Sequence, residues 1–292
     1  MKLSNKHLEA LEADHFHHLG FDTQSVDVRK KFSDVKFVCV SGSSNRISKF
    51  AKFINSQLQV LKDEDIVNLC TGDRYVMYKV GPVLMANHGM GVPSTSILMH
   101  ELFKLLHYAG AEDVAFFRIG TSGGLGLTPG TVVITNRALN AYAEPKFTQV
   151  VLGKTVEQDA SFLNSISDEL MSLTRDSEEK VLFEVVIGDT MCCDDFYEGQ
   201  ARLDGAFCNY TEEDKMGYLK ELHQKGVRNI EMESTLFASL CNRAGIKASV
   251  VCVALLDRLL GDQVNITKEM KTEFEQRPWW VVLKYIKKHI SK

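Results

Sequence analysis

The stretch that decides the fold is Val114-Ala-Phe-Phe-Arg-Ile-Gly-Thr-Ser-Gly-Gly-Leu-Gly-Leu-Thr-Pro-Gly130. Its apolar beginning predicts a buried strand over Val114–Ile119. A fixed positive charge, Arg118, is followed by two hydroxyl residues, Thr121 and Ser122, and by five glycines. Guanidinium donors match phosphate oxygens, and glycine allows a backbone to turn and to approach a ligand closely. We therefore expect a segment that binds an anion at the end of a strand.

This stretch matches neither of the common nucleotide-binding fingerprints. The G-x-G-x-x-G order of a dinucleotide-binding turn is absent, and no Gly-Lys-Ser/Thr follows the glycines as it does in a P-loop. The anion is therefore expected to be held mainly by arginine.

Strand and helix patterns alternate on both sides of this stretch. The sequence predicts strands at 35–40, 75–80, 83–88, 114–119, 131–135, 183–187 and 249–256, and helices at 47–58, 94–108, 158–173, 212–225, 231–243 and 267–290. Such alternation is typical of a mixed sheet with helices on both faces, so we predict an α/β fold, a three-layer α/β/α sandwich. Residues 1–33 are polar and irregular and predict an N-terminal arm, followed by a single domain over residues 34–292.

Composition excludes several classes of protein. A net charge of -4 with no basic block gives no reason to expect a nucleic-acid partner. The longest apolar run, Ala248–Leu256, is far shorter than the roughly 20 residues of a membrane helix, and the charged residues near the N-terminus lead us to expect no secretory signal. The seven cysteines contain no C-x-x-C pair, which favours reduced thiols and a cytoplasmic location.

Two other segments place arginine near glycine and hydroxyl residues: Gly42-Ser-Ser-Asn-Arg46 and Thr71-Gly-Asp-Arg74. Ligands of open α/β sheets bind at the carboxyl ends of strands. If these segments meet Arg118, the site holds up to three guanidinium groups and suits inorganic phosphate or a phosphate ester. An arginine taken alone is more often a solvated surface residue.

A long loop contains the second candidate group. Gln200 and Arg202 together offer a carbonyl and several N–H donors, which could read the edge of a planar heterocycle, and Phe196 could pack on its face. The alternative is that the glutamine and arginine merely cap the loop.

Acidic residues form the third candidate group, in Asn229-Ile-Glu-Met-Glu-Ser234. In a helix beginning there, Glu233 lines up with Phe237 and Cys241 on the buried face, where a carboxylate needs a partner. A structural ion pair would satisfy it, and so would two hydroxyls of a sugar. Glu231 is expected to remain in solvent.

Taken together, these segments resemble the animal-type uridine phosphorylases of the nucleoside phosphorylase superfamily. The resemblance runs from about residue 14 to the C-terminus. The matching motifs are Phe37-Val-Cys-Val40 with Gly42 and Arg46, Asp73-Arg-Tyr75, Tyr78-Lys-Val-Gly-Pro82, His88-Gly-Met-Gly91, Arg118-Ile-Gly-Thr-Ser-Gly-Gly124, Asp195-Phe-Tyr-Glu-Gly-Gln200, Arg202-Leu-Asp-Gly205 and Arg228-Asn-Ile-Glu-Met-Glu-Ser234.

The resemblance implies reversible phosphorolysis of uridine, with deoxyuridine as a second candidate substrate. The products are uracil and ribose 1-phosphate, or its deoxy form, as in pyrimidine salvage. It implies no organic cofactor and no metal, because inorganic phosphate is the second substrate.

The resemblance also implies a role for each matching residue. Phosphate would be held by Gly42, Arg46, Arg74, Arg118 and Thr121, uracil by Phe196, Gln200, Arg202, Leu255 and Leu256, and ribose by His18, Thr121, Met232 and Glu233. The residues expected to act in catalysis are Arg118, Gln200, Arg202 and Glu233. His18 and Arg74 would come from the neighbouring subunit of a homodimer.

Two positions depart from the family pattern. Ala201 stands where a glycine is expected, and Asp257, where relatives have asparagine, is expected at the rim of the base pocket. Two other functions remain open: a nucleoside hydrolase of the same superfamily, which would have little use for several phosphate-binding arginines, and a catalytically silent paralogue that only binds nucleosides.

Overall fold

The computed structural model describes residues 1–176 and 180–290. The strands are β1 His15–Phe16, β2 Phe21–Asp22, β3 Phe37–Ser41, β4 Met77–Val80, β5 Val83–Asn87, β6 Ala115–Gly124, β7 Val132–Leu139, β8 Lys146–Val151, β9 Lys154–Asp159, β10 Val185–Cys192, β11 Val227–Glu231 and β12 Lys247–Asp257. The helices are α1 Val28–Phe32, α2 Ser44–Leu58, α3 Gly91–Ala109, α4 Ser167–Arg175, α5 Glu212–Gln224, α6 Ser234–Ala244 and α7 Lys268–Ile290. None of these helices is both long and apolar enough to cross a membrane.

The centre of the molecule is an eight-stranded mixed sheet in the order β11-β10-β7-β12-β6-β3-β5-β4. Most neighbouring strands are parallel, whereas β4 with β5 and β7 with β12 are antiparallel. The sheet also curls, because Gly123 and Gly124 of β6 pair with Ile230 and Asn229 of β11. Five of the strands, β11, β10, β7, β12 and β6, therefore form a closed ring, a closure that the sequence patterns do not predict.

Side chains alternate between the two faces of the sheet, and the two largest apolar cores lie on opposite faces. On β3, Val38 and Val40 face the core under α3 and α6, whereas Phe37 and Cys39 face the core under α2, α4 and α7. This alternation follows from the two-residue period of a strand whose faces are both covered by helices. The predicted three-layer arrangement around a mixed sheet is confirmed.

Residues 1–33 pack against the first of these cores. Phe16 and Phe32 are completely or almost completely buried in it, beside residues of α3. The Asp14 carboxylate accepts hydrogen bonds from Lys104 Nζ at 2.5 Å and Tyr108 Oη at 2.9 Å, both on α3. The segment is thus held to the domain by apolar burial and by a partly buried ion pair.

Several predicted element boundaries are wrong. The helix expected over 158–173 is the shorter helix α4, which begins only at Ser167. Gln158 and Asp159 instead end strand β9 of a hairpin whose two-residue turn, Leu152-Gly153, has φ of 50° and 74°. The helix expected from Glu231 begins only at Ser234, after strand β11. Helix α3 begins at Gly91 rather than Ser94.

Candidate active site

A cavity of about 640 Å³ opens where β3, β5, β11 and β12 end and where β6 passes between them. This is the carboxyl edge of the parallel strands, as expected for ligand sites in α/β sheets. Its lining includes most of the residues singled out in the sequence: Gly42, Arg46, Arg118, Thr121, Phe196, Gln200, Arg202, Met232, Glu233, Leu255 and Leu256. His18 and Arg74 are not among the residues that line it.

Most of the glycine-rich stretch is part of a strand, so the expected end of that strand at Ile119 is wrong. Strand β6 continues to Gly124, which places Arg118 in its middle. A Cβ on Gly120 would lie 2.9 Å from Arg118 Nη1, and a Cβ on Gly123 would lie 2.8 Å from Arg258 Cγ. These glycines therefore make room for two buried arginines beside the strand.

One end of the cavity has groups that favour negative charge. Helix α2 begins directly after β3, with Ser43 as its N-cap, and its first turn carries Arg46. The N–H groups of a helix N-terminus and a guanidinium both favour negative charge. Arg46 Nη1 donates to Thr121 Oγ1 at 3.4 Å, so α2 and β6 meet here. Gly42 is required because a Cβ at this position would lie 2.9 Å from the Gly89 carbonyl oxygen.

Arg118 forms a buried cluster with two glutamates. Its Nη1 lies 2.9 Å from Glu231, and its Nη2 contacts Glu233. Burial would raise the pKa of Glu233, but Arg118, together with His88 and the Gly91 N–H, lowers it below the ordinary value. Burial raises the pKa of Glu231 in spite of the same arginine.

The expectation that Glu231 stays in solvent is wrong. It is 4% exposed because it ends strand β11 instead of beginning a helix, and its carboxylate accepts the N–H groups of Glu233 and Ser234 at 3.0 Å. Glu233 is also 4% exposed, but it lies at the N-cap of α6 and not on the helical stripe expected for it. Its Oε1 accepts the N–H of Gly91 at 2.7 Å.

Arg202 lies at the other end of the cavity, firmly fixed. Asp204 accepts from its Nε at 2.8 Å and from its Nη2 at 2.6 Å, and the carbonyl of Asp262 accepts from Nη2 at 2.8 Å. The ring of Phe196, expected against a heterocycle, packs on the Arg202 guanidinium with 4.4 Å to the ring centroid. Gln200 is buried beside them.

His18 and Arg74 lie together on a different part of the surface. The carbonyl of Leu19 accepts the N–H of Thr71 at 3.0 Å, so the two chain segments are in contact. His18 Nδ1 is 2.7 Å from the Glu101 carboxylate, and the Arg74 side chain is 74% exposed. Of the three guanidinium groups expected to converge, only Arg46 and Arg118 meet within one chain.

Comparison with known proteins agrees with this architecture. The model of the phosphorylase superfamily matches residues 36–285. Uridine phosphorylase 1 of Mus musculus is 48% identical, covering 100% of this chain and 94% of that protein. The chain belongs to the uridine phosphorylases of this superfamily. The resemblance based on the motifs is thereby confirmed.

Two other uridine phosphorylases, both from Schistosoma mansoni, are informative. The crystal structure of one in complex with thymidine has a TM-score of 0.94 at 43% identity, with 99% of each chain covered. The other, inactive uridine phosphorylase B, is 43% identical over 98% of this chain and 95% of its own length.

In this uridine phosphorylase, Arg258 and Asp262 hold residues of the site in place, and neither was predicted from the sequence. Arg258 is fully buried, donates to the carbonyl of Gln200 at 2.7 Å and pairs with Asp262 at 3.0 Å. Asp262 also accepts from Lys215 at 2.8 Å and from the N–H of Leu203 at 3.0 Å. The available signal was the group of charged residues directly after the long apolar strand.

Asp257 does not lie at the rim of the base pocket, so that expectation is wrong. Its Oδ1 accepts the N–H groups of Gly126 and Leu259, both at 3.0 Å, and it is not among the residues that line the cavity. The carboxylate therefore closes the turn after β12, a task that an asparagine oxygen could also perform.

Proposed function

We propose that this chain catalyses the reversible phosphorolysis of uridine, and of deoxyuridine, to uracil and the corresponding pentose 1-phosphate. The observation that carries the proposal is that Arg46 and Arg118 share one cavity with Gln200 and Arg202. At about 640 Å³ the cavity is within the usual range for small-molecule sites, which extends from roughly 300 to 1,000 Å³.

Phosphate is assigned to the end formed by Gly42, Arg46 and Thr121. Here the start of α2 and the Arg46 guanidinium, which is hydrogen-bonded to Thr121, provide N–H donors. Arg118 borders the same space, although Glu231 and Glu233 already balance much of its charge. Arg118 therefore acts on phosphate while it also orients the two carboxylates.

Uracil is assigned to the end formed by Gln200 and Arg202, between Phe196 and the apolar side chains of Leu255 and Leu256. When the glycosidic bond breaks, negative charge develops on the oxygens and nitrogens of the base. A guanidinium held by Asp204 needs no rearrangement to stabilise that charge, which makes electrostatic stabilisation effective.

Ribose is assigned to the region of Met232 and Glu233, between phosphate and base. The sugar becomes positively charged in the transition state, as in related glycosidic cleavages. The Glu233 carboxylate, whose lowered pKa keeps it ionised, both accepts hydrogen bonds from sugar hydroxyls and favours that positive charge.

The proposal includes a homodimer in which His18 and Arg74 complete the site of the neighbouring subunit. Its support is that both residues lie on one surface outside their own cavity, and that the Arg74 side chain is largely exposed. The enzyme would need no organic cofactor and no metal. A cytoplasmic location is also proposed, supported by seven cysteines that are all free thiols.

The test is uracil release from uridine with and without inorganic phosphate, measured together with pentose 1-phosphate. We expect release only with phosphate, in equal amounts of both products. The Arg202→Ala variant should lose roughly 10²–10³ in turnover while its affinity for phosphate changes little. Full turnover in this variant would contradict the role given to Arg202.

Two other functions are distinguished by the same assay. Uracil release at the same rate without phosphate would identify a nucleoside hydrolase. The inactive relative, 43% identical, keeps a silent nucleoside-binding protein as the second candidate. Tight uridine binding without turnover at saturating phosphate would establish that function.

A further inference from the structure

Among the described residues that line the cavity, three have a buried polar atom without a hydrogen-bond partner: Arg118 Nε, Arg258 Nη1 and His88 Nε2. Both arginines are paired through their other nitrogens, whereas Nε2 of His88 is left unexplained by these assignments. His88 follows β5, is 1% exposed and lines the cavity, yet its buried Nε2 has no hydrogen-bond partner in the part of the chain that the structure describes. Buried polar groups are nearly always paired, so an unpaired one at a ligand site suggests that the ligand supplies the partner.

The tautomer of His88 follows from its neighbour Thr95. The Thr95 hydroxyl lies 3.0 Å from the Gly91 carbonyl oxygen, which can only accept, so the single hydroxyl proton points there. His88 Nδ1, 3.2 Å from the same hydroxyl oxygen, must then carry a proton and donate. Nε2 is therefore unprotonated and can only accept a hydrogen bond. The imidazole stays neutral near pH 7, because burial lowers its pKa to about 4.

The position of the ring indicates which substrate meets Nε2. A Cβ placed on Gly42 would lie 3.7 Å from His88 Cε1 and 3.6 Å from Arg46 Nη2. The imidazole edge thus borders the part of the cavity assigned to phosphate. A hydrogen-bond acceptor next to a bound anion is unfavourable unless the anion carries a proton that it can donate to that acceptor.

We propose that His88 Nε2 accepts a hydrogen bond from the hydroxyl group of monohydrogen phosphate and thereby selects phosphate against sulfate. The two dianions have the same shape and charge, but sulfate has no proton to donate. With sulfate, the lone pair of Nε2 would face an anionic oxygen. This inference rests on the phosphate position proposed above.

The experiment measures the dissociation constants of sodium phosphate and sodium sulfate by calorimetry with the intact enzyme. Ionic strength is constant, and the pH is one at which most phosphate is the dianion. We expect the wild type to bind phosphate at least about tenfold more tightly than sulfate, the usual size of a hydrogen bond to a charged group. In His88→Phe the two constants should become equal within about threefold.

Thr95→Val is the matched variant, because it keeps His88 and the volume of the side chain while removing the hydroxyl that fixes the tautomer. Nε2 can then carry the proton and donate to sulfate, so the preference for phosphate should fall by about tenfold. If both variants keep the wild-type preference, the proposal is wrong. A rise in the KM for uridine with unchanged anion preference would instead place a sugar hydroxyl at Nε2 and would equally overturn it.

The Arg46→Met variant distinguishes a failure of the His88 proposal from a failure of the phosphate position on which it rests. The variant should weaken the binding of both anions by a similar factor. If it does so while His88→Phe leaves their ratio unchanged, only the role of His88 fails. If Arg46→Met binds both anions as the wild type does, phosphate lies elsewhere and both proposals fail.

Discussion

A single buried residue can make the stability of this molecule depend on pH. His88 lies among groups of both signs: Glu233 and the Gly89 backbone favour its protonation, whereas Arg118 and Arg46 oppose it. Burial is the largest effect and lowers the pKa from 6.5 to about 4. The unfolded chain therefore takes up a proton at this position before the folded chain does.

The sign of the effect follows from this difference. Below pH 6.5 the unfolded state is stabilised by protonation, so the free energy of unfolding falls until the pH reaches the folded pKa of about 4. From about pH 7.5 to about pH 5, the free energy of unfolding of the wild type should fall by about 2 kcal/mol more than that of His88→Phe. Urea unfolding at the two pH values measures this, with a variant of the exposed His7 as the control. Equal losses in wild type and His88→Phe would refute the prediction.

Sequence patterns predicted which residues form the site, but not which side chains contact them. Arg46, Gln200 and Arg202 could be recognised because they follow or interrupt apolar runs together with glycine and hydroxyl residues. The partners of Arg118 could not be assigned, because the pairing of Glu231 with it depends on how β11 folds against β6. Contacts between segments more than 100 residues apart carry no local signal.

Among the elements, the turn of 3-10 helix at Glu198–Gln200 ends in a backbone conformation that favours glycine. It ends at Ala201, which has the left-handed conformation with φ 52° and ψ 43°. Gln200 and Arg202 on either side are both buried, so the turn fixes the direction of the two side chains assigned to uracil. The glycine expected at this position would adopt the same conformation without the steric cost that a Cβ brings.

Ala201→Gly should therefore stabilise the protein, by about 1 kcal/mol, because relief of strain exceeds the added entropy of the unfolded chain. Thermal unfolding should show an increase of roughly 2 °C in Tm. Ala206→Gly is the matched control in the same loop, since Ala206 is exposed and is not among the residues with positive φ. That control should leave the Tm unchanged or lower it. A lower Tm for Ala201→Gly would show that the turn is not strained.

The elements also show why some predictions from sequence failed. A glycine-rich stretch usually marks a turn, yet in β6 the glycines remain extended, because the space beside the strand is filled by Arg118 and Arg258. The β8–β9 hairpin was missed because its polar strands lack the alternation of apolar residues that marks a strand with one buried face. The layered fold was predictable because β3, β5 and β12 are continuous apolar runs, which is typical of strands covered on both faces.

At the scale of the whole molecule, the groups proposed to bind phosphate within one chain lie between β3 and α2, on α2, on β6 and directly after β5. The segments that contain His18 and Arg74 are joined by the hydrogen bond from the Thr71 N–H to the Leu19 carbonyl. One docking surface would therefore place both side chains at the site of the neighbouring subunit. His18 is held by Glu101, which is buried on α3, and this contact keeps its ring in a defined position before any partner binds.

A mixed dimer tests this arrangement directly. Arg118→Ala should inactivate the cavity of its own chain, whereas His18→Ala should impair the cavity of the neighbour. In a dimer with one chain of each kind, the His18→Ala chain keeps its own Arg118 and receives an intact His18 from its partner, so one of the two sites is complete. Mixing the two variants under conditions that exchange subunits should restore activity well above that of either variant alone. With random pairing, up to about one site in four is complete.

Differently tagged chains, purified as the mixed dimer, give the control for exchange. If the purified mixed dimer is as inactive as its parents, His18 acts within its own chain or not at all.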